Sequence, residues 1–195
     1  PCMLARDFIK GMNLPKSVEG TSPPEGWIGS EKYDGYRSIW DSKKKRFLSR
    51  QNNEFNAPEW FKEAMPPKTI LDGELWIGRN KFHEMGCVRK NVPVDEEWYN
   101  VKYIVYDLPT IDKPFSERII TLRRTVRNTI TRWNIIRKGF PEPVRDLECP
   151  LVFAEQTIIK SEEHMDELYN SVLEKGGEGL MIKQPESFYE DKRSY

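Results

Sequence analysis

Residues 27–40 read WIGSEKYDGYRSIW, and the middle of that stretch decides the fold. Two apolar ends, Trp27-Ile28 and Ile39-Trp40, enclose a polar knot of Glu31, Lys32, Asp34, Gly35 and Arg37. The ends carry the aromatic and β-branched residues of strands, and Asp34-Gly35 is turn chemistry. A lysine in that turn is either an ordinary surface cation or an amine held beside counter-charges. Burial or neighbouring cations would make it release its proton and act as a nucleophile. Periodicity alone does not choose between the two.

Reading outward, residues 41–46 (DSKKKR) form a charged turn before Phe47-Leu48-Ser49-Arg50, so residues 36–50 read as a hairpin. Residues 57–65 read as a short helix with Pro58 in its first turn. Residues 69–77 are a strand pattern around Asp72-Gly73-Glu74, and residues 101–108 (VKYIVYDL) are the clearest strand. Ser116 is a plausible N-cap, with Ile119, Leu122, Val126, Ile130 and Trp133 following at helical spacing and the arginines on the other faces. Residues 151–159 read as one strand. Ser161 opens a second helix with Met165, Leu168, Val172 and Leu173 inward, and Gly176 stops it before a strand over residues 179–183 (GLMIK). Strands and helices mix without strict alternation, so the expected class is α+β with mainly antiparallel sheet.

A chain of 195 residues buries a core without disulfide staples. Six tryptophans, eight tyrosines and nine phenylalanines argue against disorder. The longest apolar runs span only a few residues, so no membrane segment is expected, and residues 1–10 lack the apolar core of an export signal. Cys2, Cys87 and Cys149 stand far apart, the pattern of a reduced intracellular protein. His83 and His164 are too distant in sequence to form a local ligand pair. Thirty-one basic residues balance thirty-one acidic ones, but unevenly. Residues 113–146 hold nine basic residues against three acids, and residues 155–178 seven acids against two lysines. A local basic face serves a nucleic acid even when the total is neutral, though a solvated helix face gives the same pattern.

Charges within apolar strands are costly unless paired or metal-bound. Leu71-Asp72-Gly73-Glu74-Leu75 sets two carboxylates in such a strand, and Glu178-Gly179-Leu180-Met181-Ile182-Lys183 opens another with a carboxylate and closes it with a lysine. Carboxylates beside lysines and arginines suit a magnesium–nucleotide site.

Taken in order, these segments resemble the signature motifs of the covalent nucleotidyltransferases: ATP-dependent DNA ligases, RNA ligases and mRNA capping enzymes. Lys32-Tyr33-Asp34-Gly35 matches the KxDG nucleophile motif, with Arg37 at the expected place after it. Residues 71–75 match the DGE motif, residues 103–107 (YIVYD) the aromatic-Asp motif, and residues 178–183 the EGxMxK motif. Residues 1–5 (PCMLA) resemble the lead-in of many DNA ligases. FLSR, residues 57–61 (APEWF) and residues 71–79 (LDGELWIGR) are similar to the minimal DNA ligases of bacteria and viruses, and favour DNA ligase over an RNA ligase or a GTP-using capping enzyme.

The resemblance implies an ATP-grasp-like adenylation domain over residues 1–195, ATP and Mg²⁺ as cofactors with Mn²⁺ as a substitute, and nicked duplex DNA as substrate. It implies a monomer with no membrane partner. Lys32 would carry AMP. Ser30 and Glu31 would meet the adenine edge, Tyr106 would stack on adenine, and Arg37 and Lys183 would face phosphate or ribose. Glu74 would contact ribose or metal, and Glu178 would support the metal. Arg50 would grip the 5′-phosphate at the nick, and Arg193 resembles the arginine of a GRS segment in which Lys192 here replaces the glycine. A last motif with two lysines and an OB-type barrel are expected beyond Tyr195, so the segment would adenylate poorly or not at all by itself. A non-catalytic module binding nicks or nucleotide is the reading from a different class.

Overall fold

The computed structural model describes residues 25–190. Its strands are β1 (Ile28–Lys32), β2 (Tyr36–Asp41), β3 (Arg46–Leu48), β4 (Glu54–Phe55), β5 (Leu71–Trp76), β6 (Lys102–Asp107), β7 (Leu151–Phe153), β8 (Thr157–Ile158) and β9 (Gly179–Lys183). The helices are α1 (Glu59–Glu63), α2 (Phe115–Ile136) and α3 (Glu162–Glu174), with short 3₁₀ turns between. Two sheets form, one in the order β4-β3-β2-β5-β6-β7 and one in the order β8-β1-β9. Every pairing is antiparallel except β6 with β7. The expected α+β class with mainly antiparallel sheet therefore holds.

The alternation of LDGELW explains how two carboxylates sit in an apolar strand. Successive side chains of a strand point to opposite faces. Leu71 and Leu75 of β5, with Tyr103 and Val105 of β6, turn to the main core, where Trp60 and Phe61 of α1 and Leu122, Val126 and Trp133 of α2 cover them. Asp72, Glu74 and Trp76 turn to the other face. There Ile104, Tyr106 and Ala154 form a second, smaller cluster against which Tyr33, Trp76 and Val152 pack. The smaller sheet meets this second face, since Lys183 at the end of β9 donates to Asp107 Oδ2 at 3.1 Å.

The β5–β6 register shifts between Asp72 and Gly73, so that Val105 faces Gly73 and Asp107 faces Asp72. Tyr106 is the extra residue of that bulge. A Cβ on Gly73 would stand 2.3 Å from the Ile104 carbonyl oxygen, so the close approach admits only glycine.

Local structure departs from the sequence expectations at several points. Residues 151–159 form two strands in different sheets, because the chain leaves β6 after Ala154 N–H donates to the Val105 carbonyl and then joins β1. Helix α2 begins at Phe115, and Ser116 does not cap it. The N–H groups of Phe115 and Ser116 donate instead to the carbonyls of Ser187 and Pro185. Arg118 lies on the inward face of α2 and is fully buried, while Ile130 is exposed and Thr129 takes the buried position beside it. Ser161 does cap α3, accepting from the His164 N–H at 3.0 Å. Gly176 ends that helix with φ +83, although Leu173 is exposed rather than inward. Among the described residues no helix is long and apolar enough to cross a membrane.

Candidate active site

Strand β1 ends at Lys32 and β2 begins at Tyr36, and the two strands belong to different sheets. The KYDG segment is thus the bridge between the sheets. Lys32 pairs in register with Gly179 of β9, which places Glu178 beside it. The Lys32 Nζ stands 3.5 Å from Glu178 Oε1, with both side chains partly open to solvent. Glu31, Lys32, Asp34, Trp76, Arg79 and Glu178 are among the residues lining a cleft of about 120 Å³ at this point.

The other end of the bridge is tied to the DGE strand. Gly35 N–H donates to Glu74 Oε2 at 3.2 Å, and the Tyr106 hydroxyl donates to Glu74 Oε1 at 3.2 Å. A Cβ on Gly35 would stand 2.1 Å from the Leu75 carbonyl oxygen, so glycine is obligatory there. Burial pushes the Glu74 carboxyl from 4.5 up to about 7; the Tyr106 and Gly35 hydrogen bonds and the Arg37 charge oppose that rise without cancelling it.

Two cations of the site are tied to buried carboxylates. Arg37 donates to both oxygens of Asp72, at 3.1 and 2.6 Å, and the Tyr189 hydroxyl donates to Asp72 Oδ2 at 2.7 Å. Asp107 accepts from Arg118 at 2.7 and 3.2 Å, from the Leu108 N–H at 2.7 Å and from Lys183 at 3.1 Å. Burial alone would raise the Asp107 carboxyl, but Lys183 and Arg118 outweigh it and hold it below the usual carboxylate range. Arg37 and Lys183 also stand over the Tyr106 ring, 5.5 and 5.6 Å from its centroid. That ring is buried, so a base stacking on it would require one of the two cations to move aside.

The predicted residues fall into three groups. Lys32, Glu31 and Glu178 share the cleft; Arg37, Glu74, Tyr106 and Lys183 form the adjoining network behind Gly35. Arg50 and Arg193 belong to neither. Arg50 is exposed beyond the end of β3, and Arg193 lies outside the described residues, as do Lys192 and residues 1–5. Ser30 is half-buried on β1 opposite Met181, and the Glu31 carboxylate is gripped by Arg79 at 3.2 and 2.8 Å. Sequence reasoning missed Asp72 and Arg118 as organisers and Arg79 as the partner of Glu31. Arg118 was findable, since residues 118, 122, 126, 129 and 133 continue one helical stripe.

Among the described residues no three His, Cys, Asp or Glu side chains converge as a metal cage. Magnesium needs none, because it is commonly held by one or two carboxylates together with substrate phosphates and water. Glu178, open to the cleft, fits that use. Glu74 has both oxygens engaged by Gly35 and Tyr106.

The chain is 31% identical over 175 residues to a DNA ligase of Haemophilus influenzae, an alignment covering 88% of this chain and 56% of that protein. It is 25% identical over 179 residues to a DNA ligase of Archaeoglobus fulgidus, covering 81% of this chain and 28% of that protein. Among solved structures, a Lig E DNA ligase from a study of DNA binding with a minimal scaffold superposes with a TM-score of 0.66 at 27% identity, over 96% of this chain and 66% of that one. The Chlorella virus DNA ligase-adenylate shares the fold at a TM-score of 0.70 and 19% identity, over 99% of this chain and 64% of that one. The chain thus spans little more than half of the Haemophilus protein and about two thirds of the Lig E chain. Residues 3–195 match the family described as ATP dependent DNA ligase domain, and the chain belongs to that family.

Proposed function

We propose that this chain is the adenylation domain of an enzyme that seals nicks in duplex DNA through a lysyl-AMP intermediate. The observation that carries the reading is the meeting of Lys32 and Glu178, from motifs at opposite ends of the chain, in one cleft beside the Gly35–Glu74 tie. The neutral Lys32 amine attacks the α-phosphorus of ATP. A P–N bond forms, the bond to the pyrophosphate oxygen breaks, and pyrophosphate leaves. AMP then passes to the 5′-phosphate at the nick. The 3′-hydroxyl displaces it, joining the strand.

Each displacement is in line, so positioning and charge neutralisation supply most of the catalysis. Strand pairing with β9 fixes where Lys32 begins, and the Gly35 N–H bond to Glu74 fixes where its loop ends. Arg37 and Lys183, anchored by Asp72 and Asp107, are pre-positioned donors for nucleotide phosphate or ribose. Glu31 and Ser30 lie on β1 for the adenine edge, and Tyr106 supplies the aromatic surface. Glu178 would hold Mg²⁺ or its substitute Mn²⁺, which supplies charge neutralisation at the phosphates, and Glu74 would reach metal or ribose on giving up its bond to Gly35 or Tyr106. Arg50 and Arg193 are assigned to the DNA 5′-phosphate, and the enzyme acts as a monomer.

A nick-sealing assay tests this. A duplex with a labelled 5′-phosphate at a nick should accumulate the adenylated strand and the joined product with ATP and Mg²⁺. Activity with GTP in place of ATP, or on RNA strands alone, would overturn the reading.

A further inference from the structure

Arg123, Arg124 and Arg127 of α2 serve none of the roles above, and together they build a surface. Ile119, Ile120, Arg123, Arg124, Arg127 and Phe153 line a groove of about 430 Å³ between the outer face of α2 and the edge strand β7. Positions 120, 123, 124 and 127 share one helical face, and Ile120 at its lip is 68% exposed. Arg123 lies 4.8 Å over the Phe153 ring and 3.7 Å from Glu155. Among the described residues, neither the Arg124 nor the Arg127 side chain pairs with a carboxylate. Arg123 and Arg127, four apart, repel each other along the helix, and Glu155 beside Arg123 offsets that repulsion only in part.

The groove adjoins the active site around one edge. Val152 packs on the site face and Phe153 on the α2 face of the same short strand. Glu155, which follows them, reaches Arg123 and also acts electrostatically on Tyr33 of the KYDG loop. One and a half turns earlier on α2, Arg118 is part of the site's buried network.

We propose that this groove binds the phosphodiester backbone of the duplex flanking the nick, so that the nucleic acid runs from the KYDG loop over the β7 edge onto α2. The proposal rests on the nick-sealing reading above. Arginine is the side chain suited to phosphate, because its planar fork gives two parallel hydrogen bonds. Residues 123 and 127 are about 6 Å apart along the helix axis, which matches about two phosphates at one per 3.4 Å of strand. The apolar walls formed by Ile119, Ile120 and Phe153 keep the local dielectric low and strengthen the field of the three cations. The substrate in this reading is a polyanion that must extend beyond the nick, and this groove is a basic surface reached around the β7 edge from the nucleophile loop.

The test compares the full chain with Arg124→Ala/Arg127→Ala and Arg124→Lys/Arg127→Lys. Lysyl-AMP formation from ATP without DNA should be the same in all three. Binding to a nicked duplex, followed by anisotropy across a salt series, should weaken in the alanine variant. Its plot of log affinity against log salt should be shallower by about two, one per lost phosphate contact. The lysine variant should retain most of the slope. Unchanged duplex affinity and slope in the alanine variant overturns the proposal. So does a wild-type chain that adenylates yet binds no duplex. If the alanine variant loses a glutamate-rich peptide but not DNA, the groove belongs to an acidic protein partner instead. A wild type that fails to adenylate, with the slope change still present, sinks the catalytic reading and leaves the groove standing.

Discussion

Replacing Glu74 with glutamine should stabilise the fold at neutral and alkaline pH while removing activity. The Glu74 carboxyl is pushed from 4.5 in the unfolded chain to about 7 in the fold, chiefly by burial. Because the folded pKa is the higher one, the folded state holds the proton more tightly. The stability this contributes is fully present below about 4.5 and is lost as pH rises through about 7. The full shift corresponds to about 3 kcal/mol, and the half-buried position reduces that to about 2–3 kcal/mol. Glutamine is neutral throughout. Its carbonyl accepts from Gly35, and its amide donates to the Tyr106 oxygen. Urea unfolding of wild type and Glu74→Gln at pH 4.5, 6, 7 and 8 reads the difference directly. The two should agree at pH 4.5, and the variant should gain about 2–3 kcal/mol by pH 8, or about 4–12 °C in Tm. Other carboxylates titrate equally in both proteins and cancel. A constant offset at every pH, or a variant less stable at pH 8, would refute the reasoning.

Two further substitutions probe the frame of the site. Arg118→Met removes both hydrogen bonds to Asp107 and strands the Lys113 carbonyl, while the Ser187 carbonyl keeps the Phe115 N–H; it should cost about 3–5 kcal/mol in denaturant unfolding, and Arg118→Lys should not rescue it because the fork is lost. Gly35→Ala forces the loop away from the Leu75 carbonyl, so labelling by ATP should fall by at least a hundredfold while circular dichroism shows the sheets intact.

What the sequence made legible was whatever is encoded by local order. KYDG, DGE, YIVYD and EGLMIK stand in the chain as contiguous groups, and their strands form where the alternation of side chains places them. What it hid depends on pairing between distant segments. Arg118 counts as one more arginine of a basic helix until Asp107 and Lys183 converge on it from β6 and β9. Arg37 reads as a ligand-facing cation, yet Asp72 of β5 holds it, and Tyr189, far along the chain, donates to that same carboxylate. Residues 151–159 read as one strand because apolar periodicity does not reveal that the chain changes sheets after Ala154. The missing cap at Ser116 has the same origin, since the carbonyls that receive the first N–H groups of α2 lie some seventy residues later, at Pro185 and Ser187.

The central claim is that Nζ of Lys32 is the atom that carries AMP. Intact-mass measurement after incubation with ATP and Mg²⁺, on wild type and Lys32→Ala, tests it most directly. The account predicts one adenylyl group on the wild-type chain, removed by added pyrophosphate, and none on the variant. An adduct of equal yield on the variant would contradict it.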